Sequence, residues 1–355
     1  MRWLDVDFPR DSPIGVVSFS LGDSTATVRG VSLALDLHTS LALRNWSGKR
    51  VRGLTLRVEA QDLTPSGKAS VTVPSLNVPP GETFPIRIDL ELLRPFNSTK
   101  SGGALVQVTL DCVLFDDLSS YGPDNLRSKR NLLVYELEAR RDRQYFRKLI
   151  EDGQTAKLRE EMNFGLPDVR VPQLAFELLH NVADNDHRSR PVTVSFVAFP
   201  HSTVEVMNGA AEVYRNELHM PHVDVRNRTS KTLQSIEVGW ILQGDGGRNF
   251  VAGSLPKQVE IGPIQQGTVQ ESGVLRFSHP SGRPVTVDGV MAFIGSVQFN
   301  DGNLWIPSRT DISDAELDPA LKRAIANSPE QQRLLQIYRR QGLAGLTLEL
   351  QRTMN

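Results

Sequence analysis

A chain of 355 residues is long enough for two domains, each able to bury a core without disulfides or metals. Its 39% hydrophobic and 23% charged residues exclude a disordered or fibrous protein, and its 40 basic against 41 acidic side chains give no overall attraction to nucleic acid or anionic membranes. The single cysteine, Cys112, excludes an intrachain disulfide and a thiolate-bound metal cluster, and we expect its thiol to be buried and inert.

The first residues, MRWLDVDFPRD, lack the basic start and the apolar run of a secretory signal. No run of about 18 apolar residues occurs in the sequence, so we expect no membrane-spanning segment. As the chain stands, these features favour the cytoplasm. A leader removed before the first residue would instead favour an extracytoplasmic location.

Short apolar runs with alternating character, separated by Gly, Pro, Asn and Asp, fill the first third of the chain. They occupy residues 15–21, 26–37, 40–44, 53–60, 69–76, 84–92 and 104–115. Alternation with a period of two predicts half-buried strands, and their close spacing predicts an antiparallel sandwich or barrel. The spacing becomes helical over 131–162, where Arg, Glu, Leu and Lys are abundant.

A second set of predicted strands follows and covers 192–199, 203–207, 223–226, 235–242, 259–264, 274–277 and 289–299. Hairpin turns are predicted at Asn208-Gly209 and at 244–247, because glycine and asparagine tolerate positive φ. Capping patterns then predict helix starts near Asp314 and Pro329, with a break at Gly342. Two prolines and a polar run at 184–190 place a boundary near 165, which gives domains 1–165 and 166–355.

Two segments recur in the same order along the chain. LHTSLALRNWSGKRVRGLTLRV at 37–58 returns as LHMPHVDVRNRTSKTLQSIEVGW at 218–240, and FDDLSSYGP at 115–123 returns as FNDGNLWIP at 299–307. Ordered matches at nearly one offset indicate an internal duplication. The sequence therefore predicts a mainly β fold of two tandem Ig-like antiparallel β-sandwich domains, related by duplication and each followed by a helical segment.

About 45 residues in each half carry a family resemblance. The first half has NWSGK at 45–49, the strand LTLRVEAQD, a turn at Gly67 and VPPGET at 78–83; the second has NRTSK at 227–231, SIEVGWIL and, for the later turn, only IGPIQQGT. These features resemble the short Ig-like modules of bacterial envelope proteins, of the FxLYD type. The resemblance implies an extracytoplasmic interaction or spacer module and brings no catalytic residues.

The repeated corner supplies the candidate site residues Asp117, Tyr121, Asp301 and Trp305. The two aromatic rings could form an exposed platform for a sugar or peptide. Alternatively, they close the open end of each sandwich and pack under the following helix, while the two aspartates accept backbone N–H groups. Asn45 and Asn227 are expected to stabilise turns.

Eight basic side chains against three acidic ones between Arg127 and Lys148 could attract phosphates, but acidic residues follow closely, and we expect a solvated helix and no nucleic-acid partner. The sequence has no phosphate-binding loop or G-x-S-x-G elbow, and we predict no catalytic residue, metal or cofactor.

These patterns favour a noncatalytic tandem protein for protein interaction, scaffolding or spacing, at the bacterial cell envelope if the resemblance holds. It would bind a protein partner or a second copy of itself through edge strands or end loops. The main alternative is a carbohydrate-binding or enzyme-accessory module that uses Tyr121 and Trp305. A third interpretation is a hydrolase with a site between its domains.

Overall fold

The computed structural model describes residues 3–60, 68–95, 104–163, 174–180, 189–244 and 246–353. The chain divides into two compact units, Met1–Ala139 with Glu349–Asn355, and Arg140–Leu348. The predicted boundary near 165 and the Gly67 turn lie outside the described residues, so the division into 1–165 and 166–355 stays a prediction.

The first unit is built from nine strands within the described residues. They are β1 (Leu4–Asp7), β2 (Ile14–Ser20), β3 (Thr25–Arg29), β4 (Ser32–Asn45), β5 (Val51–Glu59), β6 (Lys68–Val73), β7 (Thr83–Pro95), β8 (Val106–Phe115) and β9 (Ser120–Tyr121). In one sheet β4 pairs with β7 on one side and with β2 and β3 on the other; the second sheet has the order β1-β8-β5-β6, with β9 on β8. Alternate residues of both sheets meet in one core, which includes Leu35, Leu37, Leu41, Leu43, Leu54, Leu56 and Val108.

Helix α1 (Ser128–Glu151) begins in the first unit and continues into the second, where α2 (Thr155–Asn163) follows. The strands of the second unit are β10 (Ala175–Leu179), β11 (Arg190–Thr193), β12 (Ser195–Phe196), β13 (Val204–Tyr214), β14 (Glu217–Asn227), β15 (Leu233–Gly244), β16 (Arg248–Ala252), β17 (Lys257–Ile261), β18 (Gln266–Gln270), β19 (Val274–Ser278), β20 (Gly289–Phe299) and β21 (Leu304–Trp305). One sheet has the order β10-β19-β14-β13-β11 with β18 on β14, and the other has the order β12-β20-β15-β16 with β17 on β15 and β21 on β20. Their core surrounds the buried Trp240 and Phe277.

The two sandwiches share fine details of pairing. Register shifts between Val51 and Gly53 and between Thr55 and Leu56 in β5 recur between Leu233 and Ser235 and between Glu237 and Val238 in β15. The predicted mainly β fold of tandem sandwiches followed by helices is confirmed. Its sheets are antiparallel except that β1 runs parallel to β8 and β12 runs parallel to β20.

The helix predictions near the chain end were partly wrong. The helices there are α3 (Arg309–Asp314), α4 (Pro319–Ala326) and α5 (Pro329–Arg352). Asp314 ends α3 instead of starting a helix, because Ser308 and Asp311 form the capping box that starts it. The start at Pro329 and the break at Gly342 are confirmed. None of the described helices is long and apolar enough to cross a membrane.

Two turn predictions had different outcomes. The turn at 244–247 joins β15 to β16, as predicted, although Asp245 lies outside the described residues. The hairpin predicted at Asn208-Gly209 is wrong, because both residues lie inside β13, beside a β-bulge. Gly209 is needed there for space: a Cβ atom would lie 2.8 Å from the Phe196 ring and from the carbonyl oxygen of His222. The predicted strand 26–37 is also divided, by the β3–β4 turn at Gly30.

Candidate functional site

The predicted corner of the first unit is held together by its own polar groups. Asp117 Oδ1 accepts hydrogen bonds from the backbone N and Oγ of Ser119, and Asp117 Oδ2 lies 2.6 Å from Lys49 Nζ. The hydrogen bond from Lys49 and those from Ser119 hold the pKa of Asp117 well below its usual range. The Tyr121 hydroxyl donates to Asp11, and its ring packs partly buried against the core.

The second unit repeats this corner. Asp301 accepts a hydrogen bond from the backbone N of Asn303, and its Oδ2 lies 2.6 Å from Lys231 Nζ. The hydrogen bonds from Lys231 and Asn303 lower the pKa of Asp301. Trp305 packs partly buried against two clusters of the core. The backbone hydrogen bonds predicted for both aspartates are therefore present; use of the aromatic rings as a ligand platform stays a prediction.

Asn45 and Asn227 have the turn-forming role expected of them, and both are fully buried. Asn45 Nδ2 donates to the carbonyl oxygens of Lys49 and Val78, and its Oδ1 accepts from Ser47. Asn227 makes the equivalent hydrogen bonds within its own turn. Each side chain therefore closes a turn and leaves no group free for a ligand.

The basic segment 127–148 places two of its cations, Arg141 and Arg143, in a buried network of the second unit. Asp142 is fully buried and accepts hydrogen bonds from Arg141 and Arg309, at 3.0 and 2.8 Å. Glu330 is also fully buried and binds Arg143 at 3.2 Å. Because charges buried this deeply must be paired to offset their lost hydration, these arginines stabilise the helices and are not free to bind phosphate.

A cleft of about 270 Å³ beside this network, lined among others by Tyr145, Arg309, Lys322 and Arg323, is a candidate for a small-molecule site. Three of its cations are already engaged: Lys322 Nζ donates to the carbonyl oxygen of Ser313, Arg323 pairs with Glu160, and Arg309 binds Asp142. Within the part of the chain that the structure describes, no three His, Cys, Asp or Glu side chains are grouped to hold a metal. Burial raises the pKa of the Cys112 thiol to about 12, which makes it a poor nucleophile.

A different feature, which the sequence analysis did not single out, is the edge formed by β2 and β3. Among the described strands these two pair only with β4, so their other side is open. Large apolar side chains lie along it, with Val17 56% exposed and with Val16, Phe19 and Val28 also exposed, and Val31 in the β3–β4 turn is 82% exposed. No charged residue occurs from 14 to 21. Exposed edges of natural sheets are usually protected by charges, prolines or bulges that prevent pairing with another chain, and apart from one bulge this strand lacks them.

Trp46 extends this apolar surface at the start of β2. Its side chain is 59% exposed, and the Arg44 guanidinium lies 4.2 Å from the ring centroid. Gly15 makes room for the indole, since a Cβ atom there would lie 2.2 Å from Trp46 Nε1. Packing against Gly15 and Arg44 thus holds an exposed tryptophan in place, and tryptophan and arginine are the side chains most enriched at binding hot spots.

The corresponding edge of the second unit differs in chemistry. β13 pairs with β14 as β2 pairs with β4, with the same bulge, so that Gly15, Val17 and Trp46 correspond to Glu205, Met207 and Arg228. Arg228 and Arg226 lie 3.1 and 3.6 Å from Glu205, and the hydrogen bond from Arg228 lowers the pKa of Glu205. Strand β11 also pairs with β13 across residues 210–213. This edge is charged and partly covered, whereas the edge of the first unit is uncharged along β2 and open in the described residues.

The signal for this edge was present in the sequence but weak. SPIGVVSFS at 12–20 and STVEVMNGA at 202–210 match at only a few positions. Their equivalence comes from structure: Ser12 Oγ donates to the carbonyl oxygen of Ile14 as Ser202 Oγ does to that of Val204.

Comparison with known proteins adds little to this description. No protein-family model matches the chain, and no curated protein matches it. Among solved structures, the crystal structure of red sea bream transglutaminase is 10% identical, with 80% of this chain and 31% of that chain covered and a TM-score of 0.13. At that score the two folds cannot be called alike.

Proposed function

We propose that this protein is a noncatalytic interaction or scaffolding protein whose first sandwich binds a protein partner by adding a strand to the open edge of β2. The observation that carries the proposal is the uncharged, apolar character of that exposed strand. In strand addition, backbone hydrogen bonds provide affinity, and alternate side chains provide specificity. The resemblance to FxLYD-type envelope modules supports the same role and favours the bacterial cell envelope as its location.

A binding function is favoured over a catalytic one because the buried and repeated polar side chains have structural roles. The repeated aspartates and asparagines stabilise turns, and Asp142 and Glu330 neutralise arginines between helices. The β2 edge is unusual for a surface without a partner, because it exposes large apolar side chains and has no charged residue from 14 to 21.

A charge placed at the bulge of β2 tests this proposal. Val17→Lys puts a cation on the open edge, and because Val17 is largely exposed, we expect the fold to be kept. Protein captured from an extract of the source organism should include partners that bind the wild type and are lost with Val17→Lys. Met207→Lys is the matched control, since Met207 holds the same bulge position in the second unit and is 45% exposed. Partners retained equally by both variants would contradict the proposal.

A further inference from the structure

The open edge of the first unit combines an apolar strand with a cation whose acidic counterpart is missing. Arg44 pairs in register with Gly15, as Arg226 pairs with Glu205 in the second unit. Since Leu41 and Leu43 point into the core, Arg44 points to the outer face of the sheet. In the second unit Glu205 supplies the carboxylate on that face; in the first unit Gly15 has no side chain to offer.

In the part of the chain that the structure describes, Trp46 is the side chain that Arg44 contacts. Its guanidinium stacks on Trp46, no carboxylate among the described residues lies within ion-pair distance, and its Nε atom is buried without a hydrogen-bond acceptor. A guanidinium that is partly withdrawn from water gains most from a carboxylate, which accepts two parallel N–H···O hydrogen bonds. An acidic group placed beside Gly15 would therefore complete the arrangement that the second unit makes within its own chain.

We propose that the occupant of the β2 edge is an extended segment of a partner protein, with apolar side chains at alternate positions and an acidic residue placed beside Gly15 to bind Arg44. This inference rests on the proposed function and names the chemistry of its partner. The apolar positions contact Val16, Val17 and Phe19, and Trp46 covers the acidic residue. A second copy of this chain fits less well, because residues 14–21 of a second β2 strand carry no acidic group.

Peptide selection tests this partner chemistry directly. A random twelve-residue peptide library is selected on the immobilised full chain, and phage that also bind Val17→Lys are removed. We expect enriched peptides with alternating apolar residues and one Asp or Glu. A synthetic peptide of an enriched sequence should bind Arg44→Gln about tenfold or more weakly than the wild type, because a charge-assisted pair is lost. Arg226→Gln, in the equivalent pair of the second unit, is the matched control and should bind the peptide like the wild type.

A peptide in which the acidic residue is replaced by its amide keeps the test specific. It should bind weakly to the wild type and should lose no further affinity on Arg44→Gln, since the two changes remove the same contact. Unfolding midpoints of all variants show whether the fold is kept.

Other outcomes separate this inference from the proposed function. Enriched peptides that need Val17 but no acidic residue or Arg44 would overturn the acidic partner and leave the edge as the binding site. Dimers of the wild type in sedimentation velocity that Val17→Lys abolishes would replace the partner protein with a second copy. Failure to enrich any Val17-dependent peptide, together with a monomeric wild type, would overturn both proposals.

Discussion

Asn45 and Asn227 are the residues at which a single polar side chain does most for this fold. Each is fully buried, donates to at least two backbone carbonyl oxygens and accepts a hydrogen bond from a backbone N–H of its turn. An alanine removes the amide's buried hydrogen bonds, each of which contributes about 0.5–1.5 kcal/mol to stability. We expect Asn45→Ala and Asn227→Ala each to lower the free energy of unfolding by about 2–3 kcal/mol, measured by urea denaturation.

Asn303→Ala provides the control for these two variants. Asn303 is exposed, its side chain donates only to Asp301, and its loss should change the free energy of unfolding by less than about 0.5 kcal/mol. If all three variants lowered the free energy of unfolding equally, burial of the amide would not explain the effect of Asn45→Ala and Asn227→Ala.

At the scale of single residues, the sequence alone predicts the side-chain roles that depend on neighbours in the chain. The turn roles of Asn45 and Asn227 and the backbone hydrogen bonds of Asp117 and Asp301 are local, so a repeated spacing was enough to predict them. The contact between Gly15 in β2 and Trp46, the residue after β4, joins positions 31 apart, and its prediction needs the register of β2 against β4. The sequence patterns therefore do not predict the β2 edge as a candidate site, because its residues come together only through strand pairing.

Elements were predictable where one pattern dominated. Strands with clear alternation and helix α1 follow from periodicity, but two local motifs do not form the element that they predict. Asn208-Gly209 carries the local signal of a hairpin and lies in a continuous strand, because Phe196 packs against Gly209. The sequence from Ser313 has the spacing of a capping box, but the capping box that forms is the one between Ser308 and Asp311, at the start of α3. A short sequence motif shows only that a local structure is possible. Whether that structure forms depends on the rest of the fold.

Gly342 gives a prediction at the element scale. Its φ of 66° and ψ of −164° break α5, and that region of backbone conformation is accessible essentially to glycine alone. We expect Gly342→Ala to lower the free energy of unfolding by about 1–3 kcal/mol, or to straighten the helix and raise the helical signal in circular dichroism. A Cβ atom there would meet no atom within 4 Å, so the effect comes from backbone conformation and not from collision.

Gly48→Ala is the matched control for the helix break. Gly48 is also open to an added Cβ and has no positive φ, so its change should stay within about 0.5 kcal/mol. If Gly342→Ala behaved like Gly48→Ala in both measurements, the break would not depend on glycine.

At the scale of the whole molecule, two similar sandwiches carry different surfaces. The corners, asparagine turns and bulges recur in both sandwiches. The edges differ, because Gly15 and Trp46 of the first unit are replaced by Glu205 and Arg228 at the equivalent positions of the second. The chain as a whole has a formal net charge of −1, so overall charge gives no attraction to strongly acidic or strongly basic molecules. In the proposed function, partner selectivity would come from the side chains by which the two edges differ.

The two corners together predict how the molecule responds to acid. Because their folded-state pKa values lie below the ordinary 3.8, Asp117 and Asp301 contribute stability that is fully present above about pH 4 and is lost as the pH falls through the lowered values. We therefore expect the unfolding temperature of Asp117→Asn/Asp301→Asn to lie below that of the wild type at pH 7 and the two curves to converge as the pH is lowered toward 2. Both carboxylates are exposed, so the difference should be small and should shrink in high salt. Lys49→Met/Lys231→Met removes the cations instead and should give the same convergence, whereas curves that stay parallel down to pH 2 would show that these lysine–aspartate pairs do not contribute to the acid response.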